Sequence, residues 1–345
     1  MRRLSLFLSA LGLVSFAALV DVVAFQQTGP AFVAVIDSEG LLTPIAVYDG
    51  HEWWNRWPWG AESDEIKALP LPRTIGDIPG DWLPAGLHLP QNWTLLRPSG
   101  DRVSIRAVNP TRRSGFQLME TIAIRTTFRK RPGEDFEDAA AIAGPGRLGR
   151  FVEPSRAEAG RLREQLQETV VKVQQDEIRR WLAEMRGAGE PVPSLTRVER
   201  VETPSGITIV PVASDAPLFG LTKADVPVAG NRYYYHLSGS DLYTMRAGED
   251  CKMHLSTEGV VVVANGRVVS HRLASTAYDG FCGDAPEWMT PIAAFTLNGK
   301  TRWIMRDDLE EGHDYLLFNP DTGDIEPLKG SWANRNQDQI IQRPR

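Results

Sequence analysis

Four of the ten tryptophans fall inside seven residues, Trp53, Trp54, Trp57 and Trp59 in the stretch AVYDGHEWWNRWPWG. Indole rings stack on the flat C–H faces of sugars, and they also bury a large apolar area when they point inward. Together on a β surface these four would make a carbohydrate platform, and they stand as the candidate ligand-binding residues. Alternation along a strand after Asp49-Gly50 puts Trp53 and Trp57 on one face with His51, and Trp54 on the other with Glu52. The rings therefore divide between two surfaces unless Pro58 or a bulge breaks the alternation. Two buried indoles contribute roughly 10 kcal/mol before entropy losses, so part of the cluster is expected in a core.

Asp49, Glu52, Glu62, Asp64 and Glu65 lie beside these rings. Glycoside hydrolysis needs two carboxyls about 5 to 10 Å apart across a cleft. These five are the source from which a hydrolase of polysaccharide or peptidoglycan would draw. Other catalytic patterns are missing: the chain has no G-x-S-x-G and no S-x-x-K. The histidines at 51, 88, 236, 254, 271 and 313 are scattered singly, without H-E-x-x-H, so no metal site and no catalytic residue is assigned. Asn319, Asp321, Asp324 and Glu326 in NPDTGDIE could offer oxygens to calcium, but Asn-Pro and Asp-x-Gly are common turn chemistry.

GPGRLG, 144–149, matches G-x-G-x-x-G by letter. A dinucleotide site needs a strand before it and a helix opening from it. Pro145 and Pro154 spoil that context, so the stretch reads as a flexible linker and no cofactor is expected. RTTFRKR, 125–131, surrounds Phe128 with four positive charges, an interleaving used by single-strand binders. In a chain of net charge -6 it reads as a strand end, and a nucleic-acid partner is not expected.

The chain opens with Arg2 and Arg3, an apolar run from Leu4 to Val20, then Asp21 and a small-residue VVA pattern before Phe25. This is the form of a cleaved secretory signal, 1–24. The expected location is secreted or periplasmic, with no stable membrane span after cleavage. In an oxidising compartment Cys251 and Cys282 would pair, closing a loop of about 31 residues for roughly 3 to 4 kcal/mol.

Short β-type runs separated by turn residues fill 25–131, with five prolines between Leu69 and Pro90 marking an irregular loop or cover. Asp49-Gly50 suits a type I′ hairpin, as do Asn265-Gly266 and Asn298-Gly299, and Pro320 to Gly323 makes a further turn. The segment 132–154 reads as a Gly/Pro linker. Ser155 with Glu158 is a capping box, followed by Leu162, Leu166, Val170, Val173, Ile178, Trp181 and Met185 at mostly helical spacing. An amphipathic helix is expected over 155–187, a second β domain over 194–330, and a disordered tail over 331–345. The fold class is thus mainly β, all-β with one long helix: two small antiparallel β domains, sandwich or barrel-like, bridged by that helix. The expected function is an exported, non-enzymatic binding or structural-interaction protein recognising carbohydrate or an envelope partner. The alternative is the carboxylate-dependent hydrolase.

Overall fold

A computed structural model describes residues 29–58, 63–114, 120–134, 136–189, 194–203, 206–212, 217–226, 228, 231–244, 251–279, 289–309 and 312–330. The expected signal segment, the tail at 331–345, Trp59, Glu62 and Cys282 lie outside the described residues, and so does the expected disulfide. The strands in chain order are β1 (Ala31–Asp37), β2 (Leu41–Tyr48), β3 (Trp53–Trp54), β4 (Asn92–Leu96), β5 (Arg102–Ser114), β6 (Glu120–Thr126), β7 (Asp138–Ala143), β8 (Arg147–Gly149), β9 (Phe151–Val152) and β10 (Thr196–Thr203). They continue as β11 (Gly206–Pro211), β12 (Gly220–Ala224), β13 (Arg232–Thr244), β14 (Cys251–Ala264), β15 (Arg267–Asp279), β16 (Thr290–Leu297), β17 (Lys300–Leu309), β18 (Gly312–Asn319) and β19 (Asp324–Ile325). A short helix α1 spans Ser63–Ala68 and the long helix α2 spans Arg156–Gly187. The fold is mainly β with one long helix.

Strand β1 pairs with both β2 and β7, so the antiparallel ring β1-β7-β4-β5-β6-β2 closes into a six-stranded barrel with β3 added to β2. Phe32, Trp93, Ile105 and Ile124 fill its interior. The proline-rich stretch packs over that interior through Trp82, Leu83 and Leu89. Every residue of β1 is buried. Phe32, Ala34 and Ile36 point into the barrel, whereas Ala31, Val33 and Val35 face a second sheet, β19-β18-β17-β16-β8. A strand buried on both sides needs apolar residues at successive positions, which is why AFVAVI reads as a continuous run rather than an alternation.

The other face of this middle sheet packs on an outer sheet built around the meander β13-β14-β15, with β9, β10, β11 and β12 on the far edge of β13. Helix α2 then covers the outer sheet with Leu162, Leu166 and Val170 against Leu221, Tyr235, Leu237 and Val261. Successive layers are thus barrel, middle sheet, outer sheet and helix.

Two expectations change here. The segment 132–154 is not a flexible linker, because 138–152 contributes one strand to each of the three sheets: β7 to the barrel, β8 to the middle sheet and β9 to the outer sheet. The glycines of GPGRLG serve this crossing. A Cβ on Gly144 would lie 2.4 Å from the Pro30 carbonyl oxygen, and one on Gly149 would lie 2.3 Å from Val226 Cγ2. Nor does α2 bridge two β units; its buried residues all meet the outer sheet, so it works as a cover.

The helix start follows its code, with the Ser155 hydroxyl accepting from the Glu158 N–H. Asn265-Gly266 and Asn298-Gly299 turn as expected, each asparagine at φ 51° and each glycine at φ 74°. Asp49-Gly50 does not form the type I′ turn. Tyr48 pairs with Trp53, so the loop holds four residues, and the Asp49 carboxylate accepts from the His51 and Glu52 N–H groups.

Candidate functional site

The middle and outer sheets meet through Trp303, Met305 and Phe318 on one side and Tyr234 and Val260 on the other. Where they splay, a cleft of about 730 Å³ opens between them. Strand alternation decides what lines it. On β14, Ser256, Glu258 and Val260 face the cleft, whereas Leu255, Val261 and Val263 face the helix layer. On β15, Arg272, Thr276 and Tyr278 line the wall in the same way.

The floor is aromatic. Trp303 is 1% exposed, and the rings of Phe151, Phe318, His236 and Tyr234 surround it at 5.0, 5.4, 6.2 and 6.3 Å. Its indole N–H is buried without a hydrogen-bond partner among the described residues. His236 reaches the cleft from β13 at 7% exposure, and no described residue hydrogen-bonds its ring. Burial alone pushes its pKa down to about 4, so the imidazole is neutral at physiological pH. One side of the mouth is pinned: the Tyr234 hydroxyl donates to the Asp321 carboxylate, and Arg272 donates to the Asp321 carbonyl. The site thus combines a hydrophobic floor, two hydrogen-bonding groups set in it, and a rim carrying Ser256 and Thr276 hydroxyls.

The tryptophan cluster is divided more deeply than alternation implied. Trp53 is buried between the barrel and the middle sheet, 5.8 Å from the Phe295 ring. Trp57 is buried in the barrel interior, edge-on to Trp82 at 5.5 Å, with its N–H donating to the Ile122 carbonyl at 2.5 Å. These two rings therefore belong to different cores and cannot share a surface with Trp54. Trp54 is half-buried, with the guanidinium of Arg56 4.5 Å and the ammonium of Lys329 5.6 Å from its ring. Its N–H donates to Asp49 at 2.7 Å.

Two of the neighbouring carboxylates, Asp49 and Glu52, are already engaged. Burial raises the pKa of Asp49, but hydrogen bonds from the Glu52 and His51 N–H groups and the Trp54 indole outweigh it and hold the carboxyl below its ordinary value. Glu52 pairs with Lys329 at 2.6 Å. Asp64 and Glu65 sit in α1.

In NPDTGDIE, Asn319 accepts from the Asp321 N–H, Asp321 accepts from Tyr234, and Glu326 pairs with Arg302, as a turn requires. In RTTFRKR, Phe128 is barrel core and Arg131 pairs with Asp101 at 2.9 Å. Ser240 Oγ lies 2.7 Å from His254 Nε2, the spacing of a nucleophile and its base. His254 Nδ1 has no hydrogen-bond partner among the described residues, so no third group orients that base.

Sequence reasoning missed the cleft residues because they come from strands spread along the chain, among them β13, β14, β15, β17 and β18, with no local spacing that joins them. The available signal was weak: His236 within YYYHL, a polar residue on the same face as Tyr234 in an otherwise aromatic run. No helix among the described residues is long and apolar enough to cross a membrane. No family model, no curated protein and no solved structure matches the chain.

Proposed function

We propose that the chain is an exported, non-enzymatic binding protein whose ligand enters the cleft between the middle and outer sheets. The observation that carries this reading is the aromatic floor with two hydrogen-bonding groups, the Trp303 N–H and the His236 ring, that no described residue engages. A buried donor left unmade is unfavourable by about 1 to 3 kcal/mol, which a ligand acceptor would recover. The volume of about 730 Å³ suits a small molecule. The ligand class is amphiphilic: an apolar body for the floor and polar groups for the rim hydroxyls. Export rests on the basic and apolar opening of the chain. The hydrolase reading has less support, since Asp49 and Glu52 are committed to Trp54 and Lys329.

The test is a melting-temperature screen of alkyl glycosides, fatty acids, aromatic acids and neutral oligosaccharides, followed by calorimetry on hits. Ala274 lines the cleft and is exposed, so Ala274→Trp would obstruct the mouth without disturbing a core. At least one amphiphile is expected to bind wild type and to lose tenfold or more in affinity for Ala274→Trp. A screen without a hit, equal binding by the variant, or loss of binding only on Trp54→Ala would each defeat the cleft reading.

A further inference from the structure

The outward face of the barrel strands β4, β5 and β6 carries charge of one sign. Arg102, Arg106 and Arg125 are exposed there, separated by the exposed hydroxyls of Thr94, Ser104 and Thr127. Strand register makes this one surface, with Thr94 opposite Ser104 and Asn109 opposite Arg125, while the Arg106 N–H donates to the Thr127 hydroxyl. The full chain is acidic, at -6, so a basic face is not a by-product of its composition.

Most arginines of this barrel are committed to neighbours: Arg97 to Glu134, Arg113 to Asp37, and Arg112 to the Ile66 and Leu69 carbonyls. The guanidinium groups of Arg106 and Arg125, by contrast, meet no partner among the described residues. The apolar component of the face is one residue, Val108, 47% exposed, and no aromatic ring is exposed on it among the described residues.

We propose that this face is a contact surface for an acidic polysaccharide. It is separate from the cleft and does not rest on the reading of that site. Guanidinium forks match the planar, bidentate geometry of a carboxylate or sulfate, and the intervening hydroxyls suit sugar hydroxyls. Arg102, exposed but bonded through one guanidinium nitrogen to the Leu148 carbonyl, lies about 13 Å along the strand from Arg106, so the positive face is longer than one sugar ring and reads a chain rather than a single anion. The two other polyanions fit less well. Single-stranded nucleic acid is held on stacking rings, and an anionic bilayer on inserted aromatic and aliphatic side chains; among the described residues this face presents no exposed ring and a single aliphatic side chain, Val108.

The experiment uses the full chain and four immobilised probes: polygalacturonate, neutral dextran, oligothymidylate and phosphatidylglycerol vesicles. Arg106→Ser with Arg125→Ser removes the two uncommitted charges. Arg163→Ser with Lys172→Ser, on the exposed side of α2, removes the same charge elsewhere. Thr94→Glu places an opposing charge on the face and covers the case in which the double variant does not fold. Polygalacturonate is expected to bind wild type, to weaken at least tenfold with the face variants and on raising the salt roughly sixfold, from about 50 to about 300 mM, and to be unaffected by the α2 variant. Equal weakening by the α2 variant, no effect of the face variants, tighter binding to oligothymidylate or vesicles, binding to dextran, or no binding at all would overturn the proposal.

Discussion

His236 occupies a place where a charge is hard to hold. Its ring lies against Trp303 with 7% exposure, and burial lowers its pKa from 6.5 to about 4. In the unfolded chain the imidazole protonates near 6.5, whereas in the native chain it resists until about 4. Between those values the unfolded state binds more protons, so stability is full above 6.5 and falls as pH drops through the window. The expected loss is about 3 kcal/mol by pH 4, with buried His254 acting in the same direction. Urea unfolding from pH 4 to 7 should show this slope, and His236→Asn should flatten most of it. If the variant keeps the full slope, the ring is not the group responsible. The same scale explains the tryptophans. Residue type put part of the cluster in a core without saying which rings, and only the contacts of Trp53 with Phe295 and of Trp57 with Trp82 settled which core each one joins.

At the scale of the element, α2 carries the clearest local code and one polar exception to it. Leu162, Leu166, Val170 and Trp181 are buried as their spacing implies, but Gln174 and Glu177 are buried with them. Val173, Ile178 and Met185 are only half-buried. Gln174 donates to Asp241 at 2.7 Å and to Thr257 at 3.1 Å, and Arg197 pairs with the same aspartate. Glu177 accepts from the Ala277 N–H of β15 at 2.9 Å, and Gln165 accepts from the Val268 N–H. The helix thereby meets backbone donors of β15 that another strand would otherwise satisfy. Glu177→Ala should destabilise by about 2 kcal/mol, because it leaves the part-buried Ala277 N–H without its acceptor. Hydrogen exchange at Ala277 should accelerate with it, while Glu168→Ala on the exposed side leaves both stability and exchange unchanged. Slow exchange at Ala277 in the Glu177 variant would show that the carboxylate does not guard that edge.

On the scale of the whole molecule, the barrel cannot be separated from the sheets beside it without exposing apolar surface. The core between barrel and middle sheet joins Val33, Val35 and Ile142 to Phe295, Ile304 and Leu317. A fragment ending at 131 also lacks β7, which closes the ring between β1 and β4. Fragment 25–131 should therefore remain unfolded or aggregate, and the full chain should unfold in one step. Coincident urea transitions by tryptophan fluorescence and far-UV dichroism would bear this out; two resolved transitions would mean that barrel and sheets are independent. The amino-acid sequence by itself determined the strand-rich class, the two Asn-Gly hairpins, the Ser155 cap and the helical stripe. These depend on backbone dihedrals and on contacts between residues a few positions apart, which composition and spacing encode directly. Closure of the barrel, the passage of 138–152 through three sheets, the placing of α2 on one sheet and the cleft around Trp303 were decided only in the tertiary structure. Each depends on which apolar face meets which, a choice made between segments far apart in the chain and equally apolar in composition, so that shape and register, not residue type, select the partner.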